Sequence, residues 1–261
     1  MTRRNLVTAA GGVALASASA SAASDTKPMI LVLTKLRLRN SADNQMARCS
    51  DFLANSVMPA AQRAGVGTMG FFASLIAPDT PYLLAVMSYP SLAAMEAASA
   101  KMAADKEYSK ALEAFDSQPG LNYVRMERSV LRGFDAMPGI EVPPSEGKRP
   151  ARIFELRTYE SNSSTSLKKK IKMFADGEIA IFRKSGLLPV FFGETIIGPN
   201  MPNLTYMLAY DDLTSREKNW KVFGSSPEWQ KLRSTPGLSD AEIVSNISNV
   251  FLRPLPFSPI K

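Results

Sequence analysis

The chain has 261 residues, of which 45% are hydrophobic and 21% charged, a balance typical of globular proteins and long enough for one large domain or two ordinary ones. The formal net charge of +7 is basic for this length, yet the compact basic cluster Lys168, Lys169, Lys170 and Lys172 is not interleaved with aromatic side chains. We interpret the cluster as a solvated helix face and expect no nucleic-acid partner.

Residues 1–23 indicate an export signal rather than part of the fold. Arg3 and Arg4 precede small, apolar residues, and Ala-x-Ala triplets follow between residues 18 and 22, the order typical of a signal peptide. Residues 2–7 resemble the twin-arginine export motif, with an ordinary secretory signal as the alternative. We expect cleavage near Ala22 or Ala23 and a periplasmic or secreted protein. No later apolar run approaches the ~18 residues of a membrane span, so we expect none.

The next elements in chain order belong to two similar halves. Equivalent residues lie about 120 residues apart, so that Tyr89 falls on Tyr210 and Glu107 on Glu228. In this alignment Ala64-Gly65 falls on Ser185-Gly186, each closing a helix, and Thr34-Lys35-Leu36-Arg37 falls on Phe154-Glu155-Leu156-Arg157. Matches in this order indicate the duplication of one unit of about 105 residues.

Hydrophobic periodicity predicts the same elements in each unit, and it is clearer in the second. The first unit opens with a strand at Ile30–Arg39. The elements of the second unit are a strand at Ala151–Tyr159, a helix at Ser164–Lys184, a β-hairpin of Leu187–Gly198 and Leu204–Tyr210, helices at Ser215–Phe223 and Pro227–Leu232, and a strand at Val244–Arg253.

The element order β-α-β-β-α-β is the ferredoxin-like arrangement, so the predicted fold class is α+β with two tandem ferredoxin-like units. We place the units at residues 29–135 and 151–256, with a Pro/Gly-rich linker at 136–150. Helices cover only one face of such a sheet, and the other face must also be buried. We therefore predict that the two units pack sheet to sheet as a pseudo-dimeric α/β barrel within one chain.

Several stretches of the second unit resemble the NIPSNAP family, within the wider dimeric α/β-barrel superfamily. They are Glu155-Leu156-Arg157-Thr158-Tyr159, the segment Leu204–Leu213, Arg216-Glu217 and Pro227-Glu228-Trp229. The resemblance covers about residues 151–255 and implies the barrel fold, while the biochemical role of the family is poorly defined. Family members often carry a histidine at the position of Tyr206, so their His-dependent chemistry is not implied for this chain.

The absence of His and the single Cys exclude several classes of chemistry. Ser–His and Cys–His nucleophile pairs, His-ligated haem and most zinc or non-haem iron sites all require histidine. Cys49 cannot form an internal disulfide, and its apolar helical surroundings favour a buried thiol over a nucleophile. We expect no cofactor and no metal; haem held by Tyr, Met or Cys is a weaker alternative.

Polar residues on the predicted strands of the second unit form the candidate ligand site. If they line the barrel, Arg157 would bind an anionic group, Glu155 or Glu194 would act as a general base with a raised pKa, and the tyrosines would orient a planar molecule. The competing interpretation, which we favour, is a structural ion pair of Arg157 with Glu155 or Glu194. The full set is Glu155, Arg157, Tyr159, Glu194, Tyr206 and Tyr210.

The first unit lacks this polar set. Its strand Ile30–Arg39 places Lys35, Arg37 and Arg39 on one face without an acid, so we expect a cationic rim that favours a carboxylate or phenolate. Any pocket should be asymmetric, with better polar equipment in the second unit.

Two functions remain open at this point. The first is an exported protein that binds a small hydrophobic or aromatic anion, or a protein partner, and that could form a homo-oligomer. The second is a cofactor-independent α/β-barrel enzyme, monooxygenase- or isomerase-like, that uses Arg157 and Glu155 or Glu194.

Overall fold

The structure, a computed structural model, describes residues 27–144 and 150–261, so the predicted export signal lies outside the described residues. The first unit contains β1 (Ile30–Arg37), α1 (Gln45–Phe52), α2 (Met58–Ala64), β2 (Met69–Ile76), β3 (Tyr82–Tyr89), α3 (Leu92–Ala104), α4 (Lys106–Asp116) and β4 (Arg125–Gly133). The second contains β5 (Ile153–Glu160), α5 (Ser164–Met173), α6 (Ile179–Lys184), β6 (Leu188–Ile197), β7 (Asn203–Tyr210), α7 (Leu213–Ser225), α8 (Pro227–Arg233), α9 (Asp240–Ile243) and β8 (Asn246–Pro254). Each unit thus has the predicted β-α-β-β-α-β order, with the short α9 as an addition.

The eight strands form one closed antiparallel barrel in the order β1-β3-β2-β8-β5-β7-β6-β4. Each unit contributes four neighbouring strands in the ferredoxin-like order, and the pairs β2–β8 and β4–β6 join the units. The predicted pseudo-dimeric α/β barrel is confirmed. Closure leaves no free sheet edge, and it explains why two copies are needed: one four-stranded sheet cannot cover its own bare face.

The apolar residues separate into three cores because side chains alternate between the two faces of each strand. Leu31, Leu33, Phe154 and Met207 belong to the core inside the barrel lumen. The opposite face of each sheet packs against the helices of its own unit and forms one core per unit. Each unit therefore has a helix–sheet interface outside the barrel, and these two interfaces can be compared position by position.

In both units the first long helix is interrupted by a π-helical segment. Leu53–Val57 separates α1 from α2, and Phe174–Glu178 separates α5 from α6. Gly177 has a non-helical backbone, so the predicted helix Ser164–Lys184 is kinked there rather than continuous. The two segments lie at equivalent places in the repeat. The helices also end as expected, at Gly65 with φ +86° and Gly186 with φ +79°.

The predicted alignment of the first strands is wrong by three residues. Ile30 pairs with Tyr89, and Ile153 pairs with Tyr210, the counterpart of Tyr89. The counterpart of Glu155 is therefore Val32 rather than Lys35. A slip by an odd number of residues moves every side chain to the other face of the strand, and the alternating sequences of β1 and β5 do not reveal it.

One end of the lumen is closed by the segment that follows β8. The amide of Leu255 donates to the carbonyl of Phe71 at 2.8 Å, and the amide of Phe71 donates to Oγ of Ser258 at 3.0 Å. Ile260 is fully buried in the lumen core. A Cβ at Gly70 would lie 2.8 Å from Cδ1 of Ile260 and 2.8 Å from the ring of Phe72, so a larger residue there would have to displace these side chains.

No helix in the described residues is long and apolar enough to cross a membrane.

Candidate functional site

Five of the six predicted site residues lie together in the second unit, but on the face opposite to the lumen. Tyr159, Tyr206 and Tyr210 belong to the core beneath the helices, whereas Phe154 of β5 belongs to the lumen core. The expectation that this set lines the barrel interior is therefore wrong. The physical reason is strand alternation: the apolar residues of β5 fill the lumen, and the polar ones face the helices.

Glu155 is fully buried at the centre of this group and accepts five hydrogen bonds. Its Oε1 accepts from Nη1 of Arg157 at 2.7 Å, from Nη2 of Arg216 at 2.9 Å and from Nδ2 of Asn249 at 2.9 Å. Its Oε2 accepts from Nε of Arg216 at 3.1 Å and from the hydroxyl of Tyr210 at 2.9 Å. Such a set satisfies a buried carboxylate completely.

These contacts decide the charge of Glu155. Burial alone would raise its pKa, but the hydrogen bonds and charges of Arg216 and Arg157 outweigh burial and lower the pKa of Glu155 to about 2. The carboxylate is ionised at neutral pH and is too weak a base for general-base catalysis there. The prediction of a raised pKa is wrong for Glu155, and its geometry is that of the structural ion pair that the sequence favoured.

Arg157 is held by aromatic side chains on its other sides. Its Nε donates to the hydroxyl of Tyr206 at 2.8 Å and its Nη2 to that of Tyr159 at 3.2 Å, while Tyr206 donates to Tyr159 at 3.0 Å. The guanidinium also lies 4.8 Å from the ring centre of Trp220. We call the eight residues Glu155, Arg157, Tyr159, Tyr206, Tyr210, Arg216, Trp220 and Asn249 the Glu155 cluster.

The sequence missed Arg216, Trp220 and Asn249 as members of this cluster. Arg216 lies within a stretch that carries the family resemblance, and that was the one available signal. Trp220 donates from Nε1 to the hydroxyl of Tyr210 at 2.8 Å, and Asn249 is 94 residues away from Glu155 in the chain. Such contacts depend on barrel closure and leave no local pattern.

Glu194, the sixth predicted residue, lies apart from the cluster. It is half-buried on β6 and pairs across the sheet with Arg132 and Leu204. Within the described part of the chain it has no hydrogen bond or ion pair through its side chain. The alternative pairing of Glu194 with Arg157 is therefore wrong.

The expected cationic rim of the first unit is neutralised. Nη2 of Arg37 lies 2.7 Å from Oδ1 of Asp79, and Nη1 of Arg37 lies 3.5 Å from Oε1 of Glu127. Nζ of Lys35 lies 3.6 Å from Oε2 of Glu127. Arg39 lies 3.0 Å from Asp43. The sequence showed no acid on this strand face because the acids come from neighbouring elements.

The prediction that the basic cluster is a solvated helix face is wrong for Lys170. Its side chain is 1% exposed, and its Nζ lies 3.1 Å from Oε2 of Glu178 and 3.2 Å from Oδ1 of Asp240. Burial raises the pKa of Glu178 to about 7, against the opposing effect of Lys170. Lys168 and Lys169 are exposed, as expected.

The first unit has a cavity at the place where the second unit has the Glu155 cluster. It has a volume of about 310 Å³ and lies between the helices and the outer sheet face. It continues into a surface groove of about 490 Å³ between α3 and α4. We call it the first-unit cavity. Its apolar lining includes Val32, Phe52, Leu53, Met87, Met95, Met102 and Phe115.

Residue size explains why only the first unit has this cavity. In the repeat, the lining residues Leu53, Ala85, Ser99 and Met102 are the counterparts of Phe174, Tyr206, Trp220 and Phe223. The four larger residues fill the second unit, where the ring centres of Phe174 and Tyr206 lie 5.4 Å apart and those of Trp220 and Phe223 also 5.4 Å. The cavity therefore lies in the first unit, whereas the polar side chains lie in the second.

Two charged side chains, Arg128 of β4 and Asp116 of α4, lie where the first-unit cavity meets the groove. Arg128 is exposed and forms no ion pair or hydrogen bond with any other residue that the structure describes. Burial raises the pKa of Tyr89 and of Tyr108, and the positive charge of Arg128 opposes both shifts, so Arg128 faces these phenols.

No group of three or more His, Cys, Asp or Glu side chains in residues 27–144 and 150–261 is arranged to hold a metal ion. Cys49 is buried, its Sγ donates to the carbonyl of Asn122 at 3.1 Å, and burial raises the pKa of its thiol to about 11. A thiol of this kind is a poor nucleophile.

Comparisons with known proteins support the fold. Residues 154–259 match the NIPSNAP family model, which confirms the resemblance of the second unit. The chain is similar to a monooxygenase-like protein from Fusobacterium nucleatum (TM-score 0.57, 10% identity, 88% of this chain and 93% of that chain). A second monooxygenase-like protein, from Lactobacillus acidophilus, gives a TM-score of 0.56 at 11% identity over 87% of this chain and 94% of that chain. At these identities the two similarities establish the barrel alone.

A NIPSNAP-like domain protein from Burkholderia xenovorans is 24% identical over 42% of this chain and 90% of that chain, with a TM-score of 0.38. No match was found among curated proteins.

Proposed function

We propose that the protein binds a small apolar or aromatic molecule with a single negative charge, and that the site is the first-unit cavity. The observation that carries this proposal is an apolar cavity of about 310 Å³ with Arg128, a cation without an ion pair among residues 27–144 and 150–261, at its mouth. A volume in this range suits a small ligand, and one charged group fixes the orientation of an otherwise apolar molecule.

The lining and the mouth favour different parts of such a ligand. Methionine side chains are flexible and polarisable, so Met87, Met95 and Met102 can adapt to ligands of different shape. Arg128 would pair with a carboxylate or phenolate at the mouth. Asp116, at the same mouth, would repel a second negative charge. The proposed ligand is therefore a monoanion.

A cofactor-independent monooxygenase- or isomerase-like reaction is the second candidate, as the names of the two monooxygenase-like neighbours suggest. The Glu155 cluster supports it poorly, because Glu155 is held ionised, Arg157 is fully engaged and Glu194 lies apart. Any reaction would use groups that line the first-unit cavity. A role in ligand binding alone requires fewer assumptions than a catalytic role to account for the geometry of the first-unit cavity.

Export is a further part of the proposal, and residues 1–23 support it by their order of charged, apolar and small residues. Expression of the full chain in a bacterium with a twin-arginine system should give periplasmic protein whose N-terminus lies near residue 23. Retention of the full-length protein in the cytoplasm would contradict export. The same preparation would show by native mass spectrometry whether copies of the chain form a homo-oligomer.

Equilibrium dialysis with a matched pair of probes tests the binding site. We expect 2-naphthoate to bind more tightly than the neutral 2-naphthalenemethanol, and Arg128→Met to weaken naphthoate binding by about fivefold, since the lost charge-assisted hydrogen bond is partly exposed. The control is Arg132→Met, which removes an exposed arginine from the same face of the same strand. Equal binding of both probes, or equal effects of the two variants, would contradict the proposal.

A further inference from the structure

The end of the barrel lumen opposite to the C-terminal tail is open. A cavity of about 620 Å³ enters the lumen there, and we call it the open-end cavity. Its floor is formed by leucines of four strands, and their side chains belong to, or pack against, the lumen core. These leucines are Leu33, Leu84, Leu131 and Leu156.

Above this floor, five adjacent strands of the barrel each present one hydroxyl side chain to the cavity. The strands follow one another in the barrel as β8-β5-β7-β6-β4. In barrel order these side chains are Ser248, Thr158, Thr205, Thr195 and Ser129. Strand pairing places Ser248, Thr158 and Thr205 side by side, whereas Thr195 lies opposite Leu131 and Ser129 lies opposite Leu33.

Several of these hydroxyls have hydrogen-bonding capacity left for a ligand. Thr158 and Thr205 share one hydrogen bond of 2.9 Å, which uses part of the capacity of each hydroxyl. The hydroxyl of Thr195 donates to Oδ1 of Asn203 at 2.6 Å. The hydroxyls of Ser129 and Ser248 form no hydrogen bond with any group in the described ranges.

The charges beside the arc of hydroxyls largely cancel. Lys35 lies 3.9 Å from Asp79 and 3.6 Å from Glu127, and Arg37 lies close to the same two carboxylates. These two cations and two anions form one neutral group at the rim. Arg128, which lies between the two cavities, adds one exposed positive charge. The open-end cavity therefore has a polar wall over an apolar floor, and Arg128 is the one charge of its lining without an ion pair among the described residues.

We infer that the open-end cavity is a binding site for a small molecule rich in hydroxyl groups, such as a cyclitol or a mono- or disaccharide. Hydroxyl side chains both donate and accept, as a polyol requires, and the leucine floor suits the apolar face of a sugar or cyclitol ring. This site is separate from the first-unit cavity and does not depend on its function. The charge of Arg128 acts on the phenols of Tyr89 and Tyr108 beside the first-unit cavity, so the arc of hydroxyls itself favours a neutral ligand.

Methyl NMR on protein with labelled leucines would test this site directly, because four leucines form the floor. Titration with glucose, maltose and myo-inositol should shift the methyl signals of these four residues in a saturable way for at least one of the three probes. The double variant Ser129→Ala/Ser248→Ala should weaken that binding by about threefold or more, since each lost hydrogen bond is worth roughly that much. Both hydroxyls lack hydrogen-bond partners in the part of the chain that the structure describes, so the thermal midpoint of unfolding should not change.

Ser99→Ala is the control, because it removes a hydroxyl from the first-unit cavity instead. Saturable shifts at the floor that depend on Ser129 and Ser248, but not on Ser99, would support the site. Absence of saturable shifts with all three probes would overturn it, and so would a double variant that binds as tightly as the native chain. Binding of 2-naphthoate at this end in place of the polyols would also overturn it.

Discussion

The helix–sheet interfaces of the two units occupy the same place in the fold and have opposite character. In the second unit, Glu155 and Arg157 lie on β5 within a packed network of charges and aromatic rings. Their counterparts in the first unit, Val32 and Thr34, face an apolar cavity. The order and the pairing of the strands are alike in both units, so the difference arises from the side chains that line each interface.

This difference indicates a division of roles within one chain. A buried network in which every donor and acceptor is satisfied specifies a single packing arrangement but leaves no space for a ligand. A cavity forfeits packing energy, since its lining atoms lack contacts on one side. We interpret the helix–sheet interface of the second unit as the one that stabilises the barrel and that of the first unit as the one that binds a ligand.

The largest effect expected from this comparison is that of Glu155→Gln. It would leave Arg157 and Arg216 buried or partly buried without their carboxylate, and breaking a buried ion pair costs about 3–5 kcal/mol. Urea unfolding monitored by circular dichroism measures the loss. The matched variant Val32→Ala in the first unit should cost about 1–2 kcal/mol, because it only enlarges an existing cavity. Equal losses in both variants would contradict the contrast between the units.

Two buried carboxylates of the second unit should respond to pH in opposite directions. The pKa of Glu155 is lowered from 4.5 to about 2, so its stabilising contribution is present above pH 4.5 and is lost as the pH falls toward 2. The pKa of Glu178 is raised from 4.5 to about 7, so its contribution is present below pH 4.5 and is lost as the pH rises through 7.

Glu178→Gln separates these two effects. In the native chain the free energy of unfolding should fall by on the order of 2 kcal/mol between about pH 5 and pH 8 because of Glu178, and the variant should lack this slope. Denaturant titrations at a series of pH values measure it. The acid limb below pH 4, which we assign to Glu155, should remain in the variant. An unchanged slope above pH 5 would show that Glu178 is not the group that titrates.

Most of the fold could be predicted from the sequence, because duplication and hydrophobic periodicity are local or repeated signals. The strands β5 and β7, the helix ends at Gly65 and Gly186, and barrel closure all follow from such signals. Five of the six site residues could be grouped in advance because alternate residues of a strand share a face. Three of the five lie on β5 and two on β7. The sequence could not show whether that face lies toward the lumen or toward the helices.

The remaining errors concern properties that arise only from tertiary packing. Glu194 lies on β6, which β7 separates from β5, and it pairs with Leu204 rather than with Tyr206, the residue opposite Arg157, so a shared face did not bring it to Arg157. Lys170 was assigned to solvent because neither partner is a neighbour on one helix face: Glu178 is 8 residues further along the predicted helix and Asp240 is 70 residues away. The first-unit cavity arises because four residues of the first unit are each smaller than their counterparts in the second. No single one of these residues predicts a cavity.

Ala85→Phe gives the smallest expected change in stability and tests the comparison most directly. Ala85 lines the first-unit cavity, and its counterpart in the second unit is Tyr206. We choose phenylalanine rather than tyrosine because a phenol at position 85 would lack a partner. In the second unit Arg157 donates to the hydroxyl of Tyr206, but the residue opposite Ala85 is Thr34. A ring that enters an existing cavity does not overpack the core, so the free energy of unfolding should change by less than about 1 kcal/mol.

The same variant should abolish binding of 2-naphthoate, because the ring would occupy the space that the ligand needs. Ala97→Phe, on the exposed side of α3, is the control and should bind as the native chain does. If Ala85→Phe is as stable as the native chain and still binds naphthoate, the ligand lies elsewhere. If the variant is destabilised by about 3 kcal/mol, as an overpacked core would be, the first unit is already filled and the contrast between the two units is lost.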